Sequence, residues 1–297
     1  MSNYFKQKKK FLITLAVLAV VGIGVFGFVN HAFANSCASQ ATGNWSAAGT
    51  WTACGGTTPQ ATDTVTITHT VTLDASASTM DITINTGGIL QFQTAGAGVT
   101  LTINENAGAA LLTVGAAGTA GTLTCRAPAS GTNTIKLNST TADAAVGIQV
   151  ESMGKLDIQG TSAVDRDCLI TNGGVTLDGT RDGYIYLKDG SESILKYAEI
   201  SYLGANVANK YGIYANAVDG NIASEGIFVV GSKIHHNYDG IQIDGSTYNL
   251  ISENTIYSNT NNGLLVVNTA TNNTISRNTV YSNSISRNSI VGSSIDD

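Results

Sequence analysis

Charge, proline and cysteine are all scarce in this chain. Of its 297 residues 12% are charged, two are proline and four are cysteine. No stretch is dense enough in proline or glycine to mark a linker to a second domain. The basic residues form no cluster beyond residues 6–10, which argues against nucleic acid and anionic membrane surfaces as partners. The cysteines have no CxxC spacing and no neighbouring histidines, so metal binding is not expected of them. Gly, Thr, Ser, Asn and Ala fill the chain instead, a composition that resembles low complexity until its periodicity is read. Val, Ile and Leu alternate with Thr, Ser and Asn in strand fashion almost to the end.

Lys6, Lys8, Lys9 and Lys10 precede an uncharged apolar run over 11–29, and Ala32, Phe33 and Ala34 supply the small-x-small pattern of a signal-peptidase site. Residues 1–34 therefore read as a signal peptide. An uncleaved membrane anchor is the competing reading, since 19 apolar residues can span a bilayer. Either way the rest is exported, to the cell surface or beyond. The leader holds four of the 15 basic residues and none of the 21 acidic ones, so the exported part carries a net charge of −10. An even number of cysteines in an exported chain permits two disulfides. Of the three pairings, those nearest in sequence are expected: Cys37 with Cys54 and Cys125 with Cys168.

The strongest signal is a repeat. Lys233, Ile234, His235, His236 and Asn237 return as Thr255, Ile256, Tyr257, Ser258 and Asn259, then as Thr279, Val280, Tyr281, Ser282 and Asn283, at steps of 22 and 24 residues. A period in the low twenties, built from β-prone runs, marks a solenoid whose units stack to share one core. Leu195, Val229, Ile251 and Ile275 are each followed five residues later by Ile200, Ile234, Ile256 and Val280. That constant step predicts a tight corner between two strands, hence three parallel strand faces per coil, with coils about 4.8 Å apart. Asn237, Asn259 and Asn283 read as a structural ladder, because asparagine tolerates left-handed backbone and its amide can bond to the asparagine one coil away.

Over roughly residues 147–283 the chain resembles the right-handed parallel β-helix superfamily, which includes pectate lyases and related exported repeat proteins. A left-handed β-helix would need a hexapeptide apolar rhythm, which is absent. The expected fold is all-β: a right-handed single-stranded parallel β-helix over 93–297, after an N-terminal cap and first coils over 35–92. Trp45 and Trp51 are expected to plug the open apolar end of the first coil. At the other end Ile275, Val280, Ile285, Ile290 and Ile295 fall five apart, outside the coil rhythm, and no capping helix follows. Self-association through that uncapped end is therefore an expectation.

The coil from Ile200 to Ile234 takes 34 residues, 12 more than the next. The excess divides between two loops, 203–210 and 216–224, on either side of the strand holding Ile213, Tyr214 and Ala215. Corner insertions in solenoids wall binding surfaces. Between these walls, alternation turns Tyr186 and Lys188, Tyr214 and Asn216, and Gln242 and Asp244 to solvent, with Lys210 and Asp219 on the loops. Tyrosine faces beside amides and charges suit a sugar. The expected function is carbohydrate binding by an exported protein, with a polysaccharide or cell-surface glycan as partner. A structural or adhesive solenoid and a polysaccharide lyase are the alternatives.

For a lyase the resemblance implies an Arg or Lys base and acidic residues holding calcium against a uronate. Arg181, Asp182, Lys188, Asp189, Lys210, Asp219 and Asp244 could supply such a site, yet no lyase motif is matched and no catalytic residue is assigned. Outside that reading no cofactor is expected. Adjacent His235 and His236 are expected to face opposite ways on their strand, His235 in a surface column with Tyr257 and Tyr281. Glu253 and Arg277, one coil apart, read as an intercoil ion pair.

Overall fold

The computed structural model describes residues 34–105, 110–116, 118–139, 145–173, 183–219, 226–284 and 289–290. The leader over 1–33, Arg181, Asp182, Ile285, Ile295 and the end of the 216–224 loop lie outside them. Apart from one 3-10 turn at Ala48–Thr50, the regular structure of the described residues is β. It forms three sheets of 11, 9 and 8 strands, in which hydrogen-bonded neighbours come from successive coils. The first sheet includes Val146–Val150, Tyr184–Leu187, Ile213–Asn216, Ile241–Asp244 and Leu264–Val267; the second, Glu192–Lys196, Gly226–Val230, Leu250–Ser252 and Thr274–Ser276; the third, Glu199–Ser201, Lys233–His235, Thr255–Tyr257 and Thr279–Tyr281. Their ladders are parallel, and one coil contributes one strand to each sheet. The antiparallel exception pairs Ser36–Ser39 with Trp51–Thr52 at the edge of the first sheet.

Period-two alternation builds these strands. In Thr64–Ile67, Thr70–Leu73 and Asp81–Ile84 every second side chain is buried, which satisfies the core while threonines face out. The inward residues form one continuous cluster from Cys37 to Ile275. Leu195, Val229, Ile251 and Ile275 pair in register, as do Ile200, Ile234, Ile256 and Val280. Ile290, expected to leave the rhythm, instead pairs with Val266 in the first sheet, 24 residues back. The irregular first half hides an equally strict ladder. Gly88, Gly121 and Gly154 stand in register, and a Cβ on each would lie 2.1–2.2 Å from the carbonyl oxygen of Ile67, Ile84 or Val114. Trp45 and Trp51 are buried edge-to-face in the first coil, ring centres 4.9 Å apart.

The corners are held by asparagine. The backbone N–H of Asn237 donates to Asn259 Oδ1 (3.0 Å), and that of Asn259 to Asn283 Oδ1 (2.9 Å). Two more ladders, Asn249 with Asn273 and Asn254 with Asn278, use the same bonds. The expectation of left-handed backbone at the ladder asparagines is corrected: it is the preceding residues, His236, Ser258 and Ser282, that take φ of 53–55°. The asparagine side chain reaches the next coil because the residue before it has already turned the chain. Both expected disulfides are present, Cys37–Cys54 with Cα atoms 4.8 Å apart and Cys125–Cys168 at 6.2 Å. Loop closure over 17 and 43 residues stabilises by about 3 and about 4 kcal/mol. Arg277 and Glu253 form the intercoil pair at 3.0 Å, exposed to solvent and so worth under about 1 kcal/mol.

Candidate functional site

Register brings the expected residues together on the outer face of the first sheet. Tyr186, Tyr214 and Gln242 form one column, and Asn216 and Asp244 the next, with Lys188 following Leu187, the partner of Ala215. The tyrosine rings of 186 and 214 lie 5.2 Å apart, tilted by 34°. Tyr211, which the periodicity did not single out, meets Tyr214 edge-on at 5.3 Å. Asp219 sits apart, at the corner toward the second sheet, accepting from the Thr247 hydroxyl.

Two residues of the expected solvent-facing six are in fact covered: Tyr214 is 4% and Gln242 9% exposed. At Tyr214 the inserted loop contributes to this through Tyr211. Instead of standing as a wall, residues 203–211 fold over the sheet, and Ala205, fully buried, packs on Tyr184 with Val207, Leu111 and Tyr186 around them. This is a second apolar cluster outside the coil core. Tyr184 has room because its partner is Gly147, where a Cβ would lie 2.3 Å from the tyrosine ring. The Tyr184 hydroxyl accepts from Gln149 Nε2 at 2.9 Å. Lys210 holds its ammonium 5.8 Å from the Tyr184 ring centre. The loop hangs from the next coil by two bonds, Leu203 N–H to Asn237 Oδ1 and Tyr238 N–H to the Leu203 carbonyl.

The polar groups of the face mostly satisfy one another. The Tyr214 hydroxyl donates to Asp244 Oδ2 at 3.0 Å, and Asn268 Nδ2 donates to Asp244 Oδ1 at 2.8 Å. Lys188 pairs with Glu151 and lies 5.3 Å from the Tyr186 ring centre. Burial, then the Asp244 carboxylate beside it, pushes the Tyr214 hydroxyl above the usual tyrosine range. Burial raises the pKa of Tyr184 and, with Asp239 adding to it, that of Tyr211. These hydroxyls stay protonated at neutral pH, so each keeps a proton it can donate, as Tyr214 does to Asp244. Asp239, buried and bonded by Asn261 and Asn262, is also raised, chiefly by desolvation.

The third sheet carries a second aromatic array. His235, Tyr257 and Tyr281 stack in register at 4.9 and 5.2 Å with planes within 11° and 5° of parallel, which forms the expected column, but His235 is buried there and not on the surface. Tyr281, at its end, is 49% exposed. The two histidines do not face opposite ways. The left-handed turn at His236 (φ 55°) swings its ring back, so that the two Nδ1 atoms lie 2.7 Å apart. A doublet of histidines reads as strand alternation in sequence; the positive φ that overrides it belongs to the corner.

Among the described residues no three His, Cys, Asp or Glu side chains converge as metal ligands, and no helix is long and apolar enough to cross a membrane. Residues 163–296 match a family model described as right handed beta helix region. No curated protein and no solved structure matches the chain. Strand order and family match thus agree: the chain is a right-handed parallel β-helix with three strands to the coil.

Proposed function

We propose that this protein is an exported β-helix that binds carbohydrate on the outer face of the first sheet. Tyr186 and Tyr211 form the apolar floor and Asn216 and Asp244 the polar edge. The observation that carries this reading is the cluster of Tyr186, Tyr211 and Tyr214, with neighbouring rings 5.2 and 5.3 Å apart beside the Asp244 carboxylate, at the coil with the inserted loop. A sugar offers an apolar ring face to tyrosine and hydroxyls to amides and carboxylates. The net charge of −10 on the exported part and the Asp244 carboxylate on this face favour neutral sugars over uronates. Export is supported by the leader pattern of residues 1–34 and by two disulfides, which persist in oxidising compartments.

A glycan array probed with the full chain tests the reading: binding to neutral glycans, lost on Tyr186→Ala, is expected, and no binding to any glycan would overturn it. A purely structural or adhesive solenoid is the second reading. The internal bonding of Asp244 and Lys188, which leaves fewer polar groups for a ligand, favours it.

A further inference from the structure

The covering loop is joined to a titratable chain of side chains on the third sheet. Tyr202, the residue before the loop, stacks on His236 with ring centres 5.2 Å apart and planes 20° from parallel. His236 Nδ1 is 2.7 Å from His235 Nδ1, and His235 Nε2 is 3.0 Å from Glu199 Oε1. The groups facing this pair come from three coils: Glu199 and Tyr202 before it, Lys233 on its own strand, and Tyr257 after it. Lys233 lies 3.5 Å from Glu199 Oε2 and 5.9 Å from the Tyr257 ring centre.

A hydrogen bond between two imidazole nitrogens needs a proton on one and a lone pair on the other. A carboxylate only accepts, so His235 Nε2 carries a proton toward Glu199. His235 Nδ1 then either accepts from a neutral His236 or, when His235 is an imidazolium, donates to it. Both arrangements leave one of the facing Nδ1 atoms bare. Two imidazolium rings would oppose two N–H groups at 2.7 Å with no acceptor, and the contact would open. His236 would then lose its fixed position, and Tyr202 its stacking partner.

We propose that Glu199, His235 and His236 form a proton-operated latch on the 203–211 loop, closed at neutral pH and released in acid. Release uncovers Tyr184 and carries Tyr211 away from Tyr214, so the latch regulates the tyrosine floor read above as the carbohydrate site. Only that last consequence rests on the carbohydrate reading. Burial, then His235 and Lys233, hold the His236 pKa below the ordinary 6.5. The closed state therefore resists protonation, the open state takes protons up more readily, and acid below that value drives opening.

Hydrogen exchange of the full chain tests the latch at about pH 7.5 and about pH 5, on either side of the imidazole range. After correction for intrinsic rates, the protection of amides 203–212 should fall about tenfold or more in acid while strand amides of the same coils keep theirs. His236→Asn, which tolerates the left-handed backbone and does not titrate, should abolish the pH response. Equal protection at both pH values in the wild type, or an unchanged response in the variant, overturns the proposal. If that variant does not fold, NMR titration of the wild type decides: the loop amides must shift with the same midpoint as the His236 ring, and a different midpoint refutes the latch. Glycan binding at neither pH would overturn the carbohydrate reading alone; glycan binding without the exchange response would overturn the latch alone.

Discussion

The Tyr214 hydroxyl donates to Asp244 Oδ2 across one coil, at 3.0 Å, from a tyrosine that is 4% exposed. Tyr214→Phe keeps the ring packing and removes the bond. Because Asp244 is partly exposed and can recover a water, the loss should be near the low end for a bond to a charged group, about 1.5 kcal/mol. Denaturant unfolding of the two proteins checks it; a loss above about 3 kcal/mol would mean that the ring, not the bond, has moved.

The asparagine ladder should cost more to break. Asn259→Ala removes the acceptor of the Asn237 amide and the donor to Asn283 Oδ1, both buried. An unsatisfied buried amide costs about 1–3 kcal/mol, and hydrogen exchange at Asn237 should speed up selectively. Unchanged protection at that amide would count against the ladder.

The glycine column of the first coils is a steric requirement of the stack. An alanine at Gly121 would place its Cβ 2.1 Å from the Ile84 carbonyl oxygen, so backbone and not a flexible side chain must give way. Gly121→Ala should cost about 1–3 kcal/mol or more as overpacking, whereas Gly49→Ala, with open space around it, should be nearly neutral. Thermal unfolding of the pair separates the two; equal midpoints would refute the column.

Acid should destabilise the fold in two steps. The hydrogen bond from His235, reinforced by Lys233 and opposed by burial, holds Glu199 below its ordinary 4.5. His236 lies below its ordinary 6.5. For both groups the folded pKa is below the unfolded one, so the unfolded chain binds more protons and stability falls as pH falls. The His236 contribution is complete above 6.5 and is lost as pH falls through its folded value; that of Glu199 is complete above 4.5 and lost likewise. Urea unfolding across this range should show Glu199→Gln lacking the lower step, and a rise in stability on acidification below 6.5 would contradict the assignment.

The coil architecture was legible because its signal is one-dimensional. Ile234, Ile256 and Val280 repeat with their asparagines, and strand pairing simply stacks the repeat. Even the disulfides followed from nearness in sequence. The covered face was not legible, because Leu203, Ala205 and Val207 belong to no periodic run and the loop folds back through contacts made only in three dimensions. The histidine pair was misjudged for a related reason: alternation describes a strand, and His236 is already in the corner. Asn249, Asn254 and Asn259 are five apart, as are Asn273, Asn278 and Asn283, and that spacing marks an asparagine at all three corners of these two coils.

Carbohydrate recognition by the tyrosine face is tested most directly by affinity electrophoresis of the wild type and of a Tyr186→Ala, Tyr211→Ala double variant through neutral polysaccharides. The wild type should be retarded, and the double variant, folded by circular dichroism, should lose about tenfold or more of its affinity as central aromatic contacts are removed. Equal retardation of the two proteins, or none of the wild type on any polysaccharide, would contradict it.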